Sequence, residues 1–290
     1  MSRKALLVLM FGVMAFLFHS TANSEPLSFE QAANVTGKAG IEIGLDFNYS
    51  YEKAKDQGVT VSERTLWDMP VFVRAGISQL EGKLTIPYGI VKSNIAGMKE
   101  NNYDGLRDIG MQLKVGLISL PVFGLAIGAG TTFPSGDTKK YLGEGQNFFP
   151  FVAADMDLIA VKLHGNLGYQ FRGEFTGTSS TGLTAKIEPG DATQFSLGAE
   201  IKTPGIFSLL AEVQSESYGE SKINGITSPN SSGTTYRFVP GIRLVAGPLK
   251  AKLGLEIPLE SKVDRDRLFL NSAPTSDWRI ISGIGLQFSL

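Results

Sequence analysis

Few groups in this chain could do covalent chemistry. His164 is one of two histidines, and the other, His19, sits next to an apolar N-terminal run. A serine hydrolase needs a nucleophile within reach of such a base, with a third group to orient it. Ser196 has the phase to share a face with His164 from the following strand. Asp155/Asp157 and Glu212/Glu216 are spaced carboxylates, which can hold a metal or move protons, and Lys250/Lys252 are their cationic counterpart. On a strand, each such couple projects from one face, where ion pairing with neighbouring strands accounts for it. Pro134-Ser-Gly-Asp137 and Gly143-Glu-Gly145 are turn and loop chemistry; the Lys-Ser/Thr and following helix of a phosphate loop are missing. With no cysteine, disulfide frameworks, thiolate zinc sites and catalytic thiols are excluded. No catalytic residue, metal ligand or cofactor is assigned.

The elements that position these groups come next. The 290 residues carry 27 Lys+Arg against 28 Asp+Glu, which argues against a nucleic-acid partner. Arg3 and Lys4 precede an apolar run from Ala5 to Phe18, followed by small polar residues to Ser24. That pattern describes a secretory signal over 1–24, cut after Ala22 or Ser24; the run, about 21 Å as a helix, is too short to span a bilayer. Residues 25–38, with a capping-box pattern at Ser28-Phe-Glu-Gln31, are expected to form a periplasmic segment partly covering a pore mouth. Residues 39–290 form the folded body.

From Ile41 the apolar residues fall on every odd position to Tyr51, with Glu42, Gly44, Asp46, Asn48 and Ser50 between them. Such alternation describes a strand with one apolar and one polar face. It recurs until twelve strands are counted, the others over about 67–77, 80–88, 109–117, 123–133, 148–156, 159–171, 195–201, 207–213, 236–244, 249–259 and 278–290. Short connections (near 78–79, 119–121, 157–158, 203–205 and 246–248) alternate with long polar ones (52–64, 89–105, 134–147, 172–192, 216–233 and 260–276). Short turns on one rim and long loops on the other mark a bacterial outer-membrane barrel, with the short turns periplasmic. The predicted fold is all-β: a closed antiparallel transmembrane β-barrel of about twelve strands in the cell outer membrane, surrounded by lipid and lipopolysaccharide and delivered by the barrel-assembly machinery.

The alternation also sorts side chains. Glu42, Asp46, Arg74, Glu81, Lys83, Lys114, Lys162, His164, Arg172, Glu200, Arg237, Arg243, Lys252, Glu256 and Arg279 are predicted to line the lumen, because on the lipid face they would each cost about 2–4 kcal/mol at mid-depth. Tyr49, Tyr51, Trp67, Tyr169, Phe171, Tyr236, Phe238 and Trp278 fall on the apolar face toward the long-loop ends, as an interfacial girdle requires. Acidic residues lean toward the first four strands and basic ones toward the seventh, tenth and eleventh, which predicts a transverse field across the lumen.

Several phrases in order resemble a family of outer-membrane transporters, the MetA-pathway of phenol degradation family: Val73-Arg-Ala-Gly-Ile77 leading to Leu80-Glu81 and Ile86-Pro-Tyr88, Gly105-Leu-Arg-Asp108, Leu113-Lys114, Thr132-Phe-Pro-Ser-Gly-Asp137 and Asn166-Leu-Gly-Tyr-Gln-Phe171. The resemblance covers about 65–290. It departs at the terminus, Phe288-Ser-Leu290, where such barrels usually finish on an aromatic residue. It implies passage of a small-molecule solute of aromatic or other hydrophobic character. The residues themselves leave three functions open: a narrow channel, a plugged barrel acting through its surface loops, and an outer-membrane lipid hydrolase using His164 and Ser196.

Overall fold

The structure is a computed structural model, and it describes residues 39–56, 59–95, 101–178, 184–228, 231–261 and 278–289. The leader, the 25–38 segment and most of the 260–276 connection lie outside the described residues. Seventeen strands are present among those described: β1 (Ala39–Asp56), β2 (Val59–Ile77), β3 (Leu80–Ile95), β4 (Asn101–Leu106), β5 (Ile109–Ser119), β6 (Phe123–Phe133), β7 (Asn147–Leu158), β8 (Val161–Arg172), β9 (Phe175–Thr178), β10 (Thr184–Glu188), β11 (Ala192–Lys202), β12 (Phe207–Tyr218), β13 (Lys222–Ile223), β14 (Ile226–Thr227), β15 (Gly233–Ala246), β16 (Leu249–Ser261) and β17 (Trp278–Ser289). Twelve of them close a barrel in the order β1-β2-β3-β5-β6-β7-β8-β11-β12-β15-β16-β17, every pair antiparallel. The seam joins β17 to β1, in register from Gly40↔Ser289 to Tyr51↔Trp278. Closure matters because a free strand edge in hydrocarbon would leave backbone donors and acceptors without partners.

The outer wall is apolar on every barrel strand. Ile43, Leu113, Leu167, Leu197, Leu253 and Ile284 all point outward and are exposed; in water such a surface would drive aggregation, whereas lipid accepts it. Strands of eleven residues, such as β5, β6 and β11, run about 36 Å at roughly 3.3 Å per residue. Tilted about 40°, they cover roughly the 25 Å apolar band of an outer-membrane barrel. The 19-residue β2 and 18-residue β1 project well past it.

Connections on one rim are short: Ser78-Gln79, 120–122, Ile159-Ala160, 203–206 and Gly247-Pro248. Ser78 and Ile159 take positive φ in the tight reversals. Several expected boundaries are corrected. The 52–64 segment is no loop, because β1 and β2 continue as a hairpin to Asp56 and from Val59. Within 89–105, β3 runs on to Ile95 and pairs with β4. The turn expected at Asp157-Leu158 falls at Ile159-Ala160, and β7 runs through Leu158. The 172–192 and 216–233 segments hold short strands joined in a second sheet, β14-β13-β10-β9, packed around Phe175, Ala185, Ile187 and Ile223. Across its surface the Lys186 ammonium meets Glu174 at 2.5 Å, and that bond raises the lysine's pKa above its ordinary value.

Candidate functional site: the barrel interior

Polar residues on the inner face do not form open charged rings. Toward the short-turn end they pack into a layer of ion pairs. Glu42 on β1 faces Arg74 on β2 in register and accepts from it at 3.4 Å. Arg74 also reaches Glu81 on β3 at 3.6 Å, and Glu81 holds Lys114 on β5 at 2.9 Å. Across the lumen, Asp155 pairs with Lys162 at 3.4 Å and with the His164 ring nitrogen Nδ1 at 2.9 Å, while Glu200 holds Arg243 at 2.6 Å. The carboxylates are almost sealed, with Glu42 and Asp155 2% exposed and Glu200 4%. Charges so deeply buried persist only where partners offset the loss of hydration.

Two of these contacts reach past a strand. Lys250 on β16 meets Glu42 on β1 at 3.1 Å, and Lys252 meets Asp46 at 3.3 Å, both spanning the intervening β17. Neighbouring strands lie about 4.8 Å apart, so each bridge covers roughly 10 Å. Gly285 and Gly283 on β17 make room: a Cβ at Gly283 would overlap the Asp46 carboxylate and come within 2.8 Å of Lys252, and one at Gly285 would lie 3.1 Å from Glu42.

Because acids and bases interleave around this layer, it does not show the separation of charge by strand on which the expected transverse field rested. The lean read from strand order is cancelled by register, which sets Arg74 and Lys114 among the early acids and Asp155, Glu200 and Glu256 among the later bases. A second set lies nearer the long loops, where Arg237 meets Glu216 and Glu256, each at 3.2 Å, and Arg279 meets Glu256 at 3.4 Å. Arg172 approaches Glu144 at 3.8 Å.

His164 and Ser196 share the inner face and both are buried, but they are not opposed. The register sets His164 against Gly198 and Ser196 against Asn166. The second ring nitrogen of His164, Nε2, has Glu200 at 3.8 Å and no hydrogen-bond partner, so the imidazole is built into the ionic layer while Ser196 lines the space above it.

That space is a cavity of about 520 Å³ on the long-loop side of the layer. Part of its wall was not assigned from the sequence: Phe149 and Phe151 line it with Leu66 and Val91, and Phe72 is buried on the same inner face beneath Lys83. Each phenylalanine stands opposite a glycine of the next strand: Phe72 against Gly44, Phe151 against Gly128, Phe149 against Gly130. A Cβ at any of these glycines would overlap the facing ring. Glycines in phase with polar positions were the available signal, marking where a ring must lie flat. Lys83 joins this wall, its ammonium 4.6 Å above the Phe72 ring.

The 134–146 connection closes over one side of the cavity. Asp108 accepts from the backbone N–H of Gly136 at 2.9 Å and of Glu144 at 2.6 Å, and Asp137 caps a single 3-10 turn, Thr138–Lys140. Tyr141 and Leu142 follow, buried against Val91, Leu66 and Tyr103. Burial pushes the Tyr141 phenol above its ordinary pKa, keeping it neutral. Arg107 ties the loop to the wall, reaching Asp68 at 3.3 Å and Glu144 at 3.8 Å.

On the outer face the aromatic residues gather toward the long-loop rim. Trp67 and Trp278 flank Tyr49 at ring separations of 4.4 and 5.3 Å, and Tyr51 lies 6.2 Å from Trp278. Tyr169, Phe171 and Phe148 form a second group, while Tyr236 and Phe238 lie on β15. The Tyr51 and Tyr169 hydroxyls donate to Glu63 and Asp191, polar tips toward water above apolar rings.

No family model matches the chain, and no curated protein matches it. Solved structures do. An outer membrane channel from Pseudomonas putida F1 is similar over 92% of this chain and 100% of that one, with 15% identity and a TM-score of 0.73. The transport unit of the autotransporter AIDA-I from Escherichia coli covers 94% and 95%, at 12% identity and a TM-score of 0.50. Identities this low speak for shared architecture. Together with the lipid-facing wall, they make the chain a twelve-stranded β-barrel of the bacterial outer membrane.

Proposed function

We propose that the protein is a narrow channel for small solutes, with the cavity as its outer vestibule and the ionic layer as its gate. The observation that carries this is the position of a 520 Å³ cavity on the long-loop side of a packed, charge-compensated layer, inside a closed barrel. We place the chain in the phenol-degradation-type transporter family that its phrases resemble. The rings of Phe149, Phe151 and Tyr141 in the vestibule support solutes with hydrophobic or aromatic character. The inward charged residues named from the sequence act as the lining, the rim aromatics seat the barrel among lipid and lipopolysaccharide, and the assembly machinery inserts it once the leader is cut after Ala22 or Ser24. The engagement of His164 with Asp155, with Ser196 offset from it in the register, supports a transport role over lipid hydrolysis.

The pairing throughout the layer favours one variant of this reading, a barrel shut at rest that opens by rearranging ion pairs. Purified protein in planar bilayers tests both. Small discrete current steps are expected, with solute-dependent swelling of loaded liposomes. A correctly folded barrel that passes no current at any voltage, and no solute, would establish the plugged alternative.

A further inference from the structure

Nearly every inward cation described above has a carboxylate within 4 Å. Lys83 does not: among the described residues it makes no ion pair and no hydrogen bond, and its contact is the Phe72 ring. The nearby acids are engaged elsewhere, Asp46 with Lys252 and Glu42 with Arg74 and Lys250. Across the sheet Lys83 stands against Arg74 and Gln112, which offer no negative charge. The cavity it lines carries six cationic side chains against four acidic ones. A compact, strongly hydrated ammonium is thus held at the wall of a cavity of ligand-binding size, beside rings that solvate it poorly.

Resting on the channel reading above, we propose that the vestibule is a binding site for small organic anions. The carboxylate of the solute pairs with Lys83, and its apolar body lies against Phe149 and Phe151. A carboxylate supplies the counter-charge that no described neighbour gives this ammonium, and a charge-assisted contact of this kind is about twice as strong as a neutral hydrogen bond. A neutral molecule of similar shape keeps the ring contacts and forfeits the charge-assisted part of the contact. A cation of the same shape meets repulsion from a lining with surplus positive charge.

Calorimetric titration of the folded, detergent-purified full chain tests this with three probes of one shape: benzoate, benzyl alcohol and benzylammonium. Benzoate is expected to bind at least tenfold more tightly than benzyl alcohol, and benzylammonium weakest. Lys83→Met should abolish the tenfold preference, chiefly through loss of benzoate affinity, and Lys83→Arg should retain it. Heat-modifiable migration on gels verifies that each variant is folded. Equal binding of benzoate and benzyl alcohol, no benzoate binding, or a preference that survives in Lys83→Met would overturn the proposal. Potassium chloride conductance, measured on the same preparations, judges the channel reading separately. Conductance without benzoate binding leaves the channel and removes the site; benzoate binding without conductance does the reverse.

Discussion

Replacing Glu42 by alanine asks whether the ionic layer is a dry gate or a wet lining. The Glu42 carboxylate, 2% exposed, accepts from Arg74 at 3.4 Å and from Lys250 at 3.1 Å. In Glu42→Ala both cations stay in the interior; Arg74 keeps Glu81 at 3.6 Å, and Lys250 loses this carboxylate. Removing one member of a buried ion pair costs about 3–5 kcal/mol, against about 0–1 kcal/mol for a solvated one. With a urea slope of about 2 kcal/mol per molar, the unfolding midpoint should fall by roughly 1.5–2.5 M. Glu42→Gln keeps an acceptor oxygen without the charge and should lose about half as much. The assay is urea unfolding in phosphatidylcholine vesicles, followed through Trp67 and Trp278, the chain's two tryptophans. Single-channel conductance should rise in the same variant, because the pairs that close the layer are loosened. A midpoint within about 0.5 M of wild type, with conductance unchanged, would refute the argument and mean that water already reaches these charges.

Three further changes probe the parts that hold the interior. Gly283→Val puts side-chain atoms where Asp46 and Lys252 meet; overpacking of this kind should cost about 1–3 kcal/mol, seen as a lower urea midpoint. Asp108→Ala leaves the Gly136 and Glu144 N–H groups without their acceptor, at about 1–3 kcal/mol each if they stay buried. Limited proteolysis of intact cells should then cut within 134–146, where wild type resists. Trp278→Ala removes ring contacts to Tyr49 and Tyr51, each worth about 0.5–1.5 kcal/mol, and should lower stability in vesicles while leaving solute binding unchanged.

The barrel was legible in the sequence because lipid and lumen impose opposite chemistries on successive residues. Strand count and facing followed from that alternation alone. Beyond the hydrocarbon the constraint lapses. The polar stretch from Lys53 to Arg64 has no apolar period, yet its backbone keeps pairing to Asp56 and from Val59, so it read as a loop. The site was legible only in part. Phase placed Glu42, Lys83 and His164 inward, but partners depend on register and on which strands lie two apart. Glu42 and Lys250 are separated by 208 positions along the chain, and nothing local announces their meeting over Gly285. Phe72 was not read from the sequence as an inward ring, and the cradle that Gly44 provides for it is a property of the β1–β2 register.

The ionic layer has a consequence for how such a conduit could be adjusted. Its carboxylates and cations cancel locally, so in the proposed channel an ion of either sign would meet a similar obstacle there, and discrimination by charge would fall higher up, where Lys83 stands. On that proposal, the choice of what is admitted and the speed at which it crosses would be written in different residues at different depths. A substitution near Phe72 could retune preference without altering throughput, and one near Glu42 could do the opposite.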